Sequence, residues 1–175
     1  MTALTPRQVI ESLADRLGLE RPRLPRHPQE IAAAMRTADA YLQEGARPAL
    51  FPASQFADLY AACIDACDAL VESFGFVAGR GDSGHERVLR GAQAVLATVD
   101  EETAEAVARV RRWMRPLRHA GTYNNLDAVT TADLAEAQAV ATQIVTASRK
   151  MVASELHLDE ASMVWTPGQG GDAST

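Results

Sequence analysis

An all-α fold, an antiparallel bundle of four to six helices, is what this sequence predicts, and three observations predict it. Apolar residues return at helical spacing along most of the chain. Capping patterns recur where those periodic stretches begin. Alanine is abundant and aromatic residues make up only 5%; alanine loses no side-chain entropy in a helix, whereas strands favour aromatic and β-branched residues. The chain has 175 residues, 47% of them apolar. That is about one domain, with enough apolar surface to bury a core, and it excludes wholesale disorder. No window alternates with period two long enough to mark a strand.

The elements follow in order. Thr5-Pro6-Arg7-Gln8 opens a helix over about 5–17, with a capping box and a proline at the first helical position. Pro28 opens a second over about 28–45. Ser54 is a plain cap for the third, about 54–74, where Phe56, Leu59, Tyr60, Cys63, Cys67, Leu70, Val71 and Phe74 form one stripe. Ser83-Gly84-His85-Glu86 predicts a capping box for the fourth, about 84–98. Asp100-Glu101-Glu102 starts the fifth, about 101–122, with Val107, Val110, Met114 and Leu117 on one face. Thr130 and Asp133 start the sixth, about 130–156.

Three regions of different character follow from this. Residues 1–27 are expected to form a peripheral helix and a proline- and arginine-rich linker, residues 28–157 the bundle, and residues 158–175 a flexible tail. Within that tail Met163, Val164 and Trp165 are apolar enough to tuck against a groove. Cys63 and Cys67, four apart on a helix, suit neither a disulfide nor a zinc site and read as small buried apolar residues. His27 and His157 carry no signal, and no second ligand stands at metal spacing, so neither a metal nor a cofactor is expected. No apolar run approaches the ~20 residues of a membrane span. The N-terminus has no secretory h-region, so the expected location is cytoplasmic.

The informative stretch is RRWMRPLRHAGTYNN, residues 111–125. Five arginines and no acids lie between Arg109 and His119, in a chain of formal net charge −6. Arg111, Arg115 and Arg118 share a helical face, flanked by Arg112 and His119. One account is structural: arginines late in a helix complement its dipole and pair with acids of neighbouring helices. The other is a contact surface. Pro116 favours the second, because it removes the hydrogen bond to the Arg112 carbonyl at a cost near ~3 kcal/mol. A kink there is expected to splay Arg118, His119 and Tyr123 from the helix line. His85, near the start of the fourth helix, is favoured in its neutral form and approaches Arg118 if those helices pack together.

Three features together resemble the HEPN superfamily of small helical bundles. They are the AACIDACDALVESFGF run, the glycine-rich loop leading into GHERVLRGA, and the arginine-rich helix ending RHAGTYNN. The resemblance covers about residues 30–152 in order and spacing. It implies a motif of an arginine, a polar residue, and a histidine four to six positions after the arginine, which in that family cleaves RNA without metal where two subunits meet. Here Arg118 takes the arginine place and His119 the polar place, while Tyr123 stands where the histidine is expected; Arg115 with His119 is a second, poorer alignment. A tyrosine with a pKa near ~10 stays protonated where a histidine titrates. The resemblance therefore implies a non-catalytic module, a homodimer or the binder of a partner protein or RNA, in toxin–antitoxin or defence systems. Arg111, Arg112, Arg115, Asn124 and His85 are its expected binding residues, and Arg118, His119 and Tyr123 its tentative catalytic set. The alternative it carries is an active ribonuclease using Arg118 with His119, or with His85. A third possibility is that Tyr123 is a nucleotidylated regulatory hydroxyl.

Overall fold

A computed structural model describes residues 4–48, 50–79, 83–123 and 128–165 of the chain. Its helices are α1 (Pro6–Leu17), α2 (Pro28–Gly45), α3 (Pro52–Ser73), α4 (Gly84–Leu96), α5 (Glu101–Arg109), α6 (Arg115–Tyr123) and α7 (Thr131–Leu156). A π turn, Val110–Met114, joins α5 to α6 in one continuous rod. The all-α bundle is thus the architecture observed.

The caps explain most of the boundaries. Thr5 and Thr130 each form the expected capping box, and Asp100 accepts from the N–H groups of Glu102 and Thr103. Two expectations fail. Ser83 makes no side-chain cap bond, and α3 begins at Pro52 rather than at Ser54, with Phe51 preceding it and no side-chain cap. Proline's fixed φ and missing donor suit the first helical position, which is why Pro52 fixes the start. His27, which carried no signal, caps α2: its Nδ1 accepts from the Gln29 N–H at 3.3 Å while Glu30 reaches back to the His27 N–H.

Helix α3 is the axis of the bundle, packed mainly between α2 and α7. Ala62, Cys63, Ala66, Cys67 and Ala69 are fully buried along it. Small side chains let the neighbouring helices approach closely, and Leu59, Leu70 and Val71 fill the spaces between them. At the end of α2 the approach is close, since a Cβ on Gly45 would lie 2.7 Å from Leu59 Cγ and 2.9 Å from the Gln55 carbonyl oxygen. Trp113 meets Phe56 edge to face at 5.7 Å, which fixes the arginine-rich rod against α3.

Four short segments pair as strands too brief to leave a period-two signal. Leu19–Glu20 (β1) pairs antiparallel with Val77–Ala78 (β2), and Leu158–Asp159 (β3) with Val164–Trp165 (β4). The first pair ties the chain after α1 to the chain after α3. Arg21 also lies over the Phe76 ring and Arg26 bonds Glu72 at 2.8 Å, so the arginines of the linker anchor it. Helix α1 buries Ile10 completely, so it belongs to the core rather than to the periphery. Residues 158–165, expected within a tail, form the second pair, with Met163 buried and its carbonyl accepting from Arg36 at 3.4 Å. The rest of the expected tail, 166–175, lies outside the described residues.

Candidate functional site

The proline-marked turn sets the geometry. An α-helical Pro116 would leave the Arg112 carbonyl without its donor. The chain widens one turn earlier, where the Arg115 N–H reaches back five residues to the Val110 carbonyl, and the helix then runs on to Tyr123. The departure from regular α-helix is thus a π turn ahead of the proline. Such single π turns are frequent at functional sites.

The structure divides the five arginines of this rod among different neighbours. Arg109 pairs with Glu136 of α7, and Arg112 pairs with Glu105 one element back. Arg111 donates to Glu86 from Nε at 3.0 Å and Nη2 at 2.6 Å, and to Gln93 from Nη1 at 2.9 Å. Arg115 reaches the same Glu86 only at 3.4 Å, and Arg90 holds it at 2.9 Å. One carboxylate therefore answers three guanidinium groups. Arg118 differs from all of these: its guanidinium lies 5.1 Å from the centroid of the Tyr60 ring, and its Nε is buried without a hydrogen-bond partner among the described residues.

His85 joins the same corner. Its Nδ1 lies 3.5 Å from the Tyr60 hydroxyl, the outer limit of a hydrogen bond. Partial burial of the imidazole, then the charges of Arg118 and Arg115, push its pKa below the ordinary histidine value, while Asp68 pulls the other way. Burial pushes the Tyr60 phenol above its ordinary value despite the same two arginines. The neutral phenol and the neutral imidazole can share this contact in either direction, as the imidazole tautomer dictates. Asp68, half-buried on α3, has its carboxyl raised by burial against the lowering effects of Arg26 and His85.

Of the residues singled out from the sequence, Arg115, Arg118 and His85 come together. Arg111 joins them through Glu86, and Arg112 is held elsewhere by Glu105. His119 is exposed on α6. Tyr123 closes α6, and its side chain lies outside what the structure describes; Asn124 lies outside the described residues. Tyr60, Glu86 and Asp68 were not anticipated. Tyr60 sat inside an apolar stripe and Glu86 inside a supposed cap, so neither carried a local sign of its role. Both cysteines are free and fully buried, and burial raises both thiols. Among the described residues no three His, Cys, Asp or Glu converge as metal ligands, and no helix is long and apolar enough to cross a membrane.

No protein-family model, curated protein or solved structure matches this chain. Its function is read from the chemistry of this corner: two cations with little or no compensation among the described residues, a neutral imidazole and a buried phenol.

Proposed function

We propose that this chain is a HEPN-like helical-bundle module that works by binding, and that it holds RNA through phosphate at the corner of Arg115, Arg118, His85 and Tyr60. One observation carries the reading: among the described residues Glu86 is the carboxylate that answers Arg90, Arg111 and Arg115, while Arg118 pairs with no acid and rests on a phenol ring. A phosphate group supplies the missing negative charge. Arginine is suited to this, since its planar fork matches phosphate geometry. In this reading the module acts in a toxin–antitoxin or defence setting, as a homodimer or beside a partner protein.

A second reading, the metal-independent ribonuclease, draws on His85. An imidazole kept neutral beside two guanidinium groups can take a proton from a 2′-hydroxyl while the arginines stabilise the phosphorane. The leaving oxygen still needs an acid, and Tyr60, with its raised pKa, is a poor one. Binding is therefore the better supported of the two.

The test is to incubate labelled single-stranded RNA with the protein and with Arg118→Ala, His85→Ala and His119→Ala. The binding module retains RNA intact, and Arg118→Ala weakens binding about tenfold, which is about 1.4 kcal/mol. Cleavage abolished by both Arg118→Ala and His85→Ala supports the enzyme instead. RNA affinity unchanged in Arg118→Ala overturns the proposed site.

A further inference from the structure

The far end of α3, about 20 Å along that helix from Tyr60, holds a cavity separate from the arginine corner. It has a volume of about 410 Å³ and opens between Phe74, which caps α3, Pro6 at the start of α1, Val99 in the α4–α5 turn and the second half of α7. Small-molecule sites have volumes in this range and are mostly apolar with a few polar groups. From α7 the cavity takes Ala147, Lys150, Met151 and Ser154, at i, i+3, i+4 and i+7, so one helical face supplies both an apolar wall and a polar edge. Val99 is 61% exposed beside it, an apolar side chain the fold leaves uncovered. Met151 is half-buried, and its flexible thioether adapts to a wall of irregular shape.

The charges around the cavity are engaged, with one exception. Asp100 accepts from the N–H groups of Glu102 and Thr103 and from the Thr103 hydroxyl. Glu155 pairs with Arg7, which also reaches Glu11 at 3.9 Å and lies over the Phe74 ring at 5.8 Å. Lys150 pairs with no acid among the described residues, and it is the only lysine of the chain. A lysine can lay its stem along an apolar wall and keep its ammonium at the wet rim.

We infer that this cavity binds an aliphatic monocarboxylate of the medium-chain fatty acid class. Its chain lies against Val99, Ala147 and Met151, and its carboxylate pairs with the Lys150 ammonium and accepts from the Ser154 hydroxyl. One free cation matches one negative charge, and a dianion meets added repulsion from Asp100 and Glu155. A cationic amphiphile finds both of those carboxylates already held. The cavity shares no residue with the arginine corner, so this inference is independent of the function proposed above.

Titration calorimetry of the full chain with octanoate tests it, with octanol and octyltrimethylammonium as the uncharged and cationic controls. Lys150→Met keeps an apolar stem and removes the charge; Val99→Asp places a carboxylate at the exposed rim. Each variant is first checked for native melting. The expected result is about fivefold tighter binding of octanoate than of octanol, with that preference lost in Lys150→Met and octanoate weakened in Val99→Asp. Bound octanoate should also slow the acylation of Lys150 by a limiting amine-reactive reagent, read as the modified peptide by mass spectrometry. Equal affinity for octanoate and octanol, or tighter binding of the ammonium compound, overturns the carboxylate as ligand. Octanoate that does not bind, or that binds Lys150→Met as well as the native chain and leaves Lys150 open to acylation, overturns the site.

Discussion

Replacing Glu86 by glutamine removes one charge and keeps the side chain's shape, which isolates its role as the shared partner of three arginines. The Arg111 contact dominates, with bonds of 2.6 and 3.0 Å between side chains that are each 23% exposed. A charged hydrogen bond in such a half-buried place contributes about 1.5–3 kcal/mol. The Arg90 side chain is 52% exposed, so its i,i+4 pair with Glu86 adds only about 0.3–0.5 kcal/mol. Arg115, at 3.4 Å, adds little. Glutamine keeps one acceptor oxygen, so the expected net loss is about 2 kcal/mol, or roughly 4–8 °C in melting temperature for a chain of this size. Burial pushes the Glu86 carboxyl up, but the bonds and charges of Arg111 and Arg90 outweigh it and hold the pKa below the usual 4.5. A depressed carboxyl stabilises the fold above its unfolded value and loses that contribution as pH falls through its folded value. Urea midpoints at pH 7 and at about pH 3 therefore form the assay, with the difference between native and variant shrinking in acid. Equal stability at pH 7, or a loss undiminished in acid, refutes Glu86 as the hub.

Other consequences are simpler to check. Ser148 is fully buried and its Oγ has no partner among the described residues, so Ser148→Ala should raise stability by about 1 kcal/mol in a thermal melt. His157 ends α7 in the left-handed region at φ 54°, so His157→Gly should gain about 0.5–1 kcal/mol, the relief of strain less the entropy of glycine. Cys63 and Cys67 are buried with raised thiols, so a thiol-specific reagent at mildly alkaline pH should label neither until denaturant is added.

How much of this was legible in the sequence depended on whether the cause was local. The helices were, because their apolar stripes and caps act within a few residues: Thr5, Asp100 and Thr130 mark true starts. Ser83 misled because a capping pattern states which bonds are available, not which the chain makes. The two-residue strands were too short for any periodicity. Pro116 announced strain, but not that a π turn upstream would absorb it. Arg118 and His85 were legible as candidates, and their meeting depended on how α4 packs. Tyr60 and Glu86 were hidden, since a tyrosine in an apolar stripe and a glutamate in a first helical turn look like ordinary core and ordinary cap.

On the proposed reading the arginine helix offers two cations to a ligand, not five, because Arg109, Arg111 and Arg112 already pair with acids of the chain. The salt dependence of RNA affinity tests this most directly. Two phosphate contacts on a single strand give a slope of log K against log salt of about −1.4, and five give about −3.5. A slope near the first value is the result predicted here; one near the second, shared among all five arginines on mutation, contradicts it.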